Sequence, residues 1–250
     1  MSTWHYGLVA RWWAEFNREG PEVEYFRPFV AAGQPALDAG CGTGRLLLPW
    51  LRDGLDVDGC DVSPDMLAEC RRLAAAEGLE PTLYAQALHE LALPRRYRSI
   101  VCCGTFGLGS TRAQDEEALR RLYDHLEPGG LLVLDIDANG DVLAAEPHPG
   151  QLEPPAERLR AADGSEYSLR GRVIAVDRAE RRVTRAIQAW QWRDGELVAE
   201  EEHLLTEAVY APDELARMLE RAGFGGVEAR SGDSAWGYEM VAFLARRPVR

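Results

Sequence analysis

Through the first half of the chain, short apolar runs alternate with longer segments whose apolar residues recur at helical spacing. PALDAG is followed by RLLLPWLRDG, and LDVDGCDV by PDMLAECRRLAAAEG. After the brief run PTLYAQ, SIVCCGTF precedes DEEALRRLYDHLEPGG and LLVLDI. Short strands separated by amphipathic helices build βαβ units, which predict a mainly parallel sheet. Pro64 is placed to open its helix, where a missing N–H does no harm, with Ser63 as its cap. That helix is expected to end before Gly78, and the later one at Glu127–Gly130.

From about Asn139 the pattern changes. NGDVLAAEPHPGQLEPPAE is broken by proline and glycine, and three runs rich in branched and aromatic residues follow it: Tyr167 to Val176, Arg182 to Trp192 and Leu197 to Leu205. The last two are joined across Asp194-Gly195, the strongest short hairpin signal, so an antiparallel flap is predicted. A helix from Pro212 through Ala222, closed by Gly223, and two strands near Val227 to Ala229 and Val241 to Arg246 complete the chain. The expected layout is an N-terminal helical cover over 1–34 and a core over 35–138. An inserted flap or acceptor lid follows over 139–211, and residues 212–250 complete the core.

LDAGCGTGR, Leu37 to Arg45, places three glycines at alternate positions where the first strand meets the first helix. Glycine there weakens local structure and is useful where the backbone bends sharply or something must come close. In a doubly wound sheet, ligands sit beyond the carboxyl ends of the strands, where this loop falls. Gly40 and Gly42 fit the pyrophosphate fingerprint G-x-G-x-x-G, but Arg45 stands at its third glycine, which disfavours a dinucleotide. Asp61 in GCDVSPDML, at the end of the second strand, can accept two hydrogen bonds from vicinal ribose hydroxyls. Together these features imply a nucleoside ligand without phosphates.

Composition narrows the chemistry further. All 28 basic residues are arginine, so Schiff-base lysines and the phosphate-gripping lysine of a P-loop are excluded. A net charge of −13, with no strip of basic residues among aromatics, argues against a nucleic-acid partner. The five cysteines, Cys41, Cys60, Cys70, Cys102 and Cys103, lack C-x-x-C spacing. No zinc or other metal site and no disulfide framework is therefore expected. No apolar run is long enough to span a bilayer, and MSTWHYGLVARWW lacks the basic flank and apolar core of a secretory signal. A soluble, cytoplasmic protein with no membrane partner is expected.

From about residue 35 onward the chain resembles the class I S-adenosylmethionine-dependent methyltransferases. LDAGCGTG is similar to their cofactor loop, GCDVSPDML to the ribose-binding segment and LEPGGLLVLD to the fifth strand with the turn before it. The resemblance implies a Rossmann-like, seven-stranded, mostly parallel α/β sheet with helices on both faces and an inserted antiparallel β flap. It implies S-adenosylmethionine as cofactor, S-adenosylhomocysteine as product, and methyl transfer by in-line displacement to N or O of a small molecule. Asp38 would order the loop and contact the methionine amino group. Gly40, Cys41, Gly42 and Gly44 would let the backbone approach, Asp61 and Val62 would hold the ribose, and Met66 would pack on the adenine. Cys103, with Gly104, would flank the cofactor. Where many relatives carry Gly-Asp after the third strand, this chain reads YAQALHEL. Adenine is then read by the backbone around Ala87 and Leu88 or by the Gln86 side chain.

Acceptor-side candidates fall in three places. The N-terminal WHYGLVARWWAEF sets Leu8, Trp12 and Phe16 on one helical face, with Trp13 beside it and Tyr6 ahead; the same spacing is that of a core face. Arg27 can reach the cofactor carboxylate as a bidentate donor. CCGTFGLG supplies a glycine-rich rim that includes Phe106. The third group is Asp135, Asp137, His148, Trp190, Trp192, Tyr210, Trp236 and Tyr238, with His148 the candidate general base because it lies in a loop. The flap resembles that of small-molecule enzymes such as aminosugar N-methyltransferases and glycine N-methyltransferase, where it closes over the acceptor or forms a subunit interface. A homodimer through the flap is therefore an open expectation. Two other readings stay open: a non-catalytic S-adenosylmethionine-binding module, and a nicotinamide-dependent oxidoreductase, against which Arg45 speaks.

Overall fold

The computed structural model describes residues 3, 5–137, 140–233 and 239–249. Helices α1 (Gly7–Phe16) and α2 (Pro21–Ala32) precede a run of alternating elements. These are β1 (Ala36–Ala39), α3 (Leu47–Arg52), β2 (Val57–Asp61), α4 (Pro64–Ala76), β3 (Leu83–Ala85), β4 (Tyr97–Cys102), α5 (Arg112–His125) and β5 (Leu126–Asp137). The inserted strands β6 (Leu159–Arg160), β7 (Glu166–Asp177), β8 (Arg182–Arg193) and β9 (Glu196–Ala208) follow. Helix α6 (Pro212–Arg221) and strands β10 (Gly225–Asp233) and β11 (Glu239–Arg246) come last.

Seven strands form one sheet in the order β10-β11-β5-β4-β1-β2-β3. The strands from β1 to β5 run parallel, and β11 returns antiparallel against β5. Between β1 and β4 the strand order reverses, and this switch point opens the crevice in which ligands of doubly wound sheets lie. One face of the sheet packs on α5 and α6 through Leu119, Leu122 and Leu215. The other packs on α2, α3 and α4 through Phe26, Trp50 and Leu67.

Local signals fix the helix starts. Ser63 Oγ accepts the Met66 amide at 3.2 Å with Pro64 in the first turn, as the sequence predicts. Thr111 and Gln114 form a capping box at the head of α5. Helix α5 ends at His125, just ahead of Glu127–Gly130 where the sequence stops it, but those residues already belong to β5 rather than to a separate turn. Leu126 leaves the helix to bury its side chain, and Pro128 disfavours helical backbone at the residue before it.

The antiparallel flap forms a separate four-stranded sheet, β6-β7-β8-β9. Asp194 and Gly195 both take positive φ, 52° and 83°, as the two-residue turn between β8 and β9 demands. The last residues of β9 bond to the loop after β4, with Gly109 N–H to Thr206 at 2.8 Å and Ala208 N–H to Gly107 at 2.9 Å. The flap is thereby tied to the rim of the crevice. Its edge strand β9 carries Glu200, Glu201 and Glu202, and like charges oppose pairing with a second copy along that edge.

The two N-terminal helices part company. Helix α2 joins the core, whereas α1 sets only Ala14 there and packs Leu8 and Val9 against Tyr167, Ile187 and Ala189 of the flap. The first amides of α1 are satisfied by distant carboxylates, Gly7 by Asp65 of α4 and Leu8 by Glu201 of β9, each at 2.8 Å. Unpaired N–H groups at a helix start need such partners. The cover thus bridges the core and the flap.

Candidate functional site

A cleft opens at the carboxyl ends of β1, β2, β4 and β5, roofed on one side by the segment before α1. Its floor is the glycine loop. Gly40 has φ +89°, and a Cβ there would lie 2.5 Å from Thr105 Cγ2, so the loop after β1 and the loop after β4 touch only because the side chain is missing. The amides of Gly40 and Cys41 both bond to the Cys60 carbonyl, at 2.7 and 2.9 Å. Asp61 then receives Gly42 N–H on Oδ2 at 2.9 Å and Ser63 N–H on Oδ1 at 2.8 Å.

Asp38 stands at the foot of this loop, 2% exposed, and its Oδ2 has no hydrogen-bond partner. Burial raises its pKa to about 7, against the pull of nearby Arg45. An unpartnered buried carboxylate oxygen is costly, and a cationic ligand would satisfy it. Further along, Asp135 at the end of β5 accepts Gly104 N–H at 2.7 Å, and burial likewise lifts its pKa to about 7, with Glu22 adding to the effect. Cys103 lies between Asp135 and Arg45, its Sγ 3.9 Å from the carboxylate and 4.0 Å from the guanidinium. Arg45 pairs with buried Glu22 at 2.7 Å. The wall beyond β4 and β5 therefore has two carboxylates to one guanidinium.

At the opposite end, Val62 and Met66 face the cleft together with Gln86, Ala87 and Leu88. Ser110, just before helix α5, closes this end together with Asp115 and Ala118 of the helix. Asp115 accepts the Tyr210 hydroxyl at 2.6 Å and the Ser110 hydroxyl, and burial raises its pKa. Above, His5 has its pKa lowered to about 4 by burial; Thr3 Oγ1 lies 2.6 Å from its Nδ1, and the Ser63 hydroxyl donates to its carbonyl.

The structure gathers most of the expected cofactor residues. Asp38, Gly40, Cys41 and Gly42 line the cleft from β1, Asp61, Val62 and Met66 from β2 and α4, and Cys103 from β4. Trp13, expected on the acceptor side, is there too. Gly44 is not: with φ +89° it turns its back to the cleft and presses on Cys70 and Leu48, serving the packing of α3 and α4.

Other expected residues sit elsewhere. Arg27 is on the surface, paired with Glu24 and Asp53, because α2 buries Phe26 and Val30 and turns Arg27 away. Tyr6 packs on His203 of the flap, and Trp12 on Trp13 and Phe16. Phe106 and Tyr210 stack on each other in the core at 5.4 Å, Tyr210 reaching the cleft only through Asp115. Trp190 is wholly buried within the flap. His148 is exposed on the loop after β5, held by its amide to Val173 of β7, and lines no part of the cleft. Trp236 and Tyr238 lie outside the described residues.

Sequence reading missed Glu22 and Asp115. Both carried a signal: each is an acid on the apolar stripe of its helix, Glu22 in line with Phe26 and Val30, Asp115 with Ala118, Leu119 and Leu122. A carboxylate on a core-facing stripe is buried for a reason other than packing.

Comparison with known proteins bears on the fold and on the family the chain resembles. Residues 36–130 match the model of a methyltransferase domain. A dTDP-3-amino-3,4,6-trideoxy-α-D-glucopyranose N,N-dimethyltransferase of Streptomyces venezuelae is 29% identical over 100 residues, 40% of this chain and 40% of the relative. The chain spans about half or less of the length of the curated relatives it matches first. Among solved structures, DesVI of Streptomyces venezuelae superposes with TM-score 0.66 at 19% identity, over 91% of this chain and 90% of that one. CalS10, an S-adenosylmethionine-bound amino pentose methyltransferase from Micromonospora echinaspora, gives 0.61 at 20%, over 90% and 88%. These likenesses establish the shared Rossmann-like fold, flap included.

Proposed function

We propose that this chain, which carries a methyltransferase domain over residues 36–130 within the fold of S-adenosylmethionine-dependent methyltransferases, is itself such an enzyme and methylates a nitrogen of a small organic molecule. The observation that carries the cofactor reading is the unpartnered Oδ2 of Asp38 beside the glycine loop. A ligand with a positively charged amino-acid tail satisfies that oxygen, and a pyrophosphate would repel it. Asp61, with both oxygens already fixing the backbone around it, keeps lone pairs for ribose hydroxyls.

The sulfonium of the cofactor supplies an activated methyl group, so the protein's part is position and environment. Nitrogen is favoured over oxygen by the wall around Asp135. An alcohol benefits from a positioned general base. The histidines that line the cleft are ill suited to serve as that base, since burial lowers the His5 pKa to about 4 and so makes it a weak base, and the His89 ring nitrogen is engaged by Gln114 at 3.0 Å. An amine has only to lose a proton, and Asp135, with a pKa near 7, can hold the ammonium form and then accept that proton. The aminosugar and amino pentose chemistry named for the relatives points the same way. The net charge of −13 also draws a cationic acceptor.

Isothermal titration with S-adenosylhomocysteine is expected to give one site per chain, and no heat at millimolar ligand would defeat the cofactor reading. Labelled methyl transfer to matched panels of small amines and small alcohols tests the second part. Transfer to alcohols alone would overturn it.

A further inference from the structure

The amine of an adenine needs a hydrogen-bond acceptor, and the segment after β3 is poorly placed to provide one. Gln86 Oε1 already accepts the Ala92 amide at 2.8 Å, which fixes it toward that turn and leaves it one lone pair. The carbonyls of Ala87 and Leu88 are turned into the 3-10 turn that follows, where they take the amides of Glu90 at 3.0 Å and Leu91 at 3.4 Å. The amides of Ala87 and Leu88 have no acceptor among the described residues, but an amide only donates.

Helix α5 begins against this same turn, with Gln114 Nε2 3.0 Å from His89 Nε2. Two cleft-lining polar groups at its head, Ser110 just before the cap and Asp115 in the first turn, are 6% and 3% exposed. The Ser110 proton goes to Asp115, so Ser110 Oγ presents lone pairs only. The Asp115 carboxylate receives Ser110 and Tyr210, and a carboxylate has roughly four acceptor sites, which leaves about two unused. Asp115 thus combines burial in the cleft, fixed orientation and spare acceptor capacity, on a helical stripe otherwise given to Ala118, Leu119 and Leu122.

We propose that Ser110 and Asp115, at the start of α5, receive the exocyclic amine of the adenine in preference to the acceptors of the Gln86–Leu88 segment, each of which is already engaged by an amide. The free amides of Ala87 and Leu88 then donate to the ring nitrogen next to that amine. Tyr210 is a positioning residue that holds the Asp115 carboxylate from the end of the flap. This inference rests on the adenosyl reading of the cleft.

The test compares titration of S-adenosylhomocysteine with that of S-inosylhomocysteine, in which a carbonyl replaces the amine. The full chain is expected to prefer the adenosyl ligand by about 10- to 100-fold, the cost of leaving a buried acceptor unpaired. Asp115→Asn offers an NH2 group to the carbonyl, so the preference should shrink severalfold, the remainder reflecting the ring nitrogen beside the carbonyl, which carries a hydrogen in the inosyl ligand and cannot accept from the Ala87 and Leu88 amides. Ser110→Ala, a smaller change more certain to fold, should reduce it. A wild-type preference near one, or an Asp115→Asn variant that weakens both ligands equally, overturns the assignment while leaving the adenosyl reading intact. Failure of the wild type to bind S-adenosylhomocysteine at all overturns the adenosyl reading itself.

Discussion

Asp61 grips the Gly42 amide from the neighbouring strand at 2.9 Å while its other oxygen holds the Ser63 amide at 2.8 Å. One carboxylate therefore sets the shape of the glycine loop and the start of α4 together. Asp61→Ala releases both amides and removes the acceptor proposed for the ribose. Binding of S-adenosylhomocysteine is expected to weaken by about 1.5–3 kcal/mol, the usual cost of losing hydrogen bonds to a charged group. Isothermal titration reads this directly, and unchanged affinity would remove Asp61 from the site.

Gly40 and Gly44 share a φ of +89° but answer to different neighbours. An alanine at position 40 would push on Thr105, which lines the cleft. At position 44 it would meet Cys70 Sγ and Leu48 Cγ, each at 2.8 Å, behind the loop. Each substitution forces a side chain into left-handed backbone and should cost about 1–3 kcal/mol of stability. Only Gly40→Ala should also lower the affinity of the folded protein for S-adenosylhomocysteine. Chemical denaturation followed by titration separates the two effects, and equal affinities would place Gly40 outside the binding surface.

Glu22 and Asp115 show where reading the sequence stops. The alternation of strands and helices, the Ser63 cap and the Asp194-Gly195 turn are local, and each appears where the residues predict it. The glycine loop was legible from its spacing alone, although the neighbours its glycines answer to, Thr105, Asp61 and Cys70, lie in other parts of the chain. The position of α1 was not, because its first amides are satisfied by Asp65 and Glu201, far away in the chain. Aromatic residues misled for a related reason: Trp190 and Phe106 fill cores, and composition alone does not separate a core ring from a pocket ring.

His148 and Asp135 make opposite predictions. His148 is exposed and away from the cleft, so His148→Ala should leave methyl transfer within about twofold of the parent, as surface changes generally do. Asp135→Asn keeps an acceptor for the Gly104 amide but removes the charge that would hold an ammonium group. Turnover with an amine should fall by about 10- to 100-fold, the range for losing a charged partner. The same variant should be more stable at alkaline pH, since it no longer buries a carboxylate whose ionisation the site opposes. Steady-state kinetics and thermal melts of both variants check the pair. A large kinetic loss in His148→Ala would return the catalytic base to the loop.

Asp38 and Asp135 also make stability and binding depend on pH in a direction unusual for carboxylates. Both have folded pKa values of about 7, raised from 3.8 by burial, so between these limits the native state holds protons that the unfolded chain has released. Unfolding free energy must then fall as pH rises from about 4 to about 7, by on the order of 4 kcal/mol for each group. Above about 7 the penalty is complete and this contribution no longer changes. A cationic ligand seated on Asp38 favours the ionised form, so binding should expel a proton below neutrality and affinity should rise with pH until it levels near 7. Titrations of S-adenosylhomocysteine at about pH 6, in buffers of low and high ionisation enthalpy, measure the proton released. Identical heats in the two buffers would show that the ligand's ammonium group does not reach Asp38.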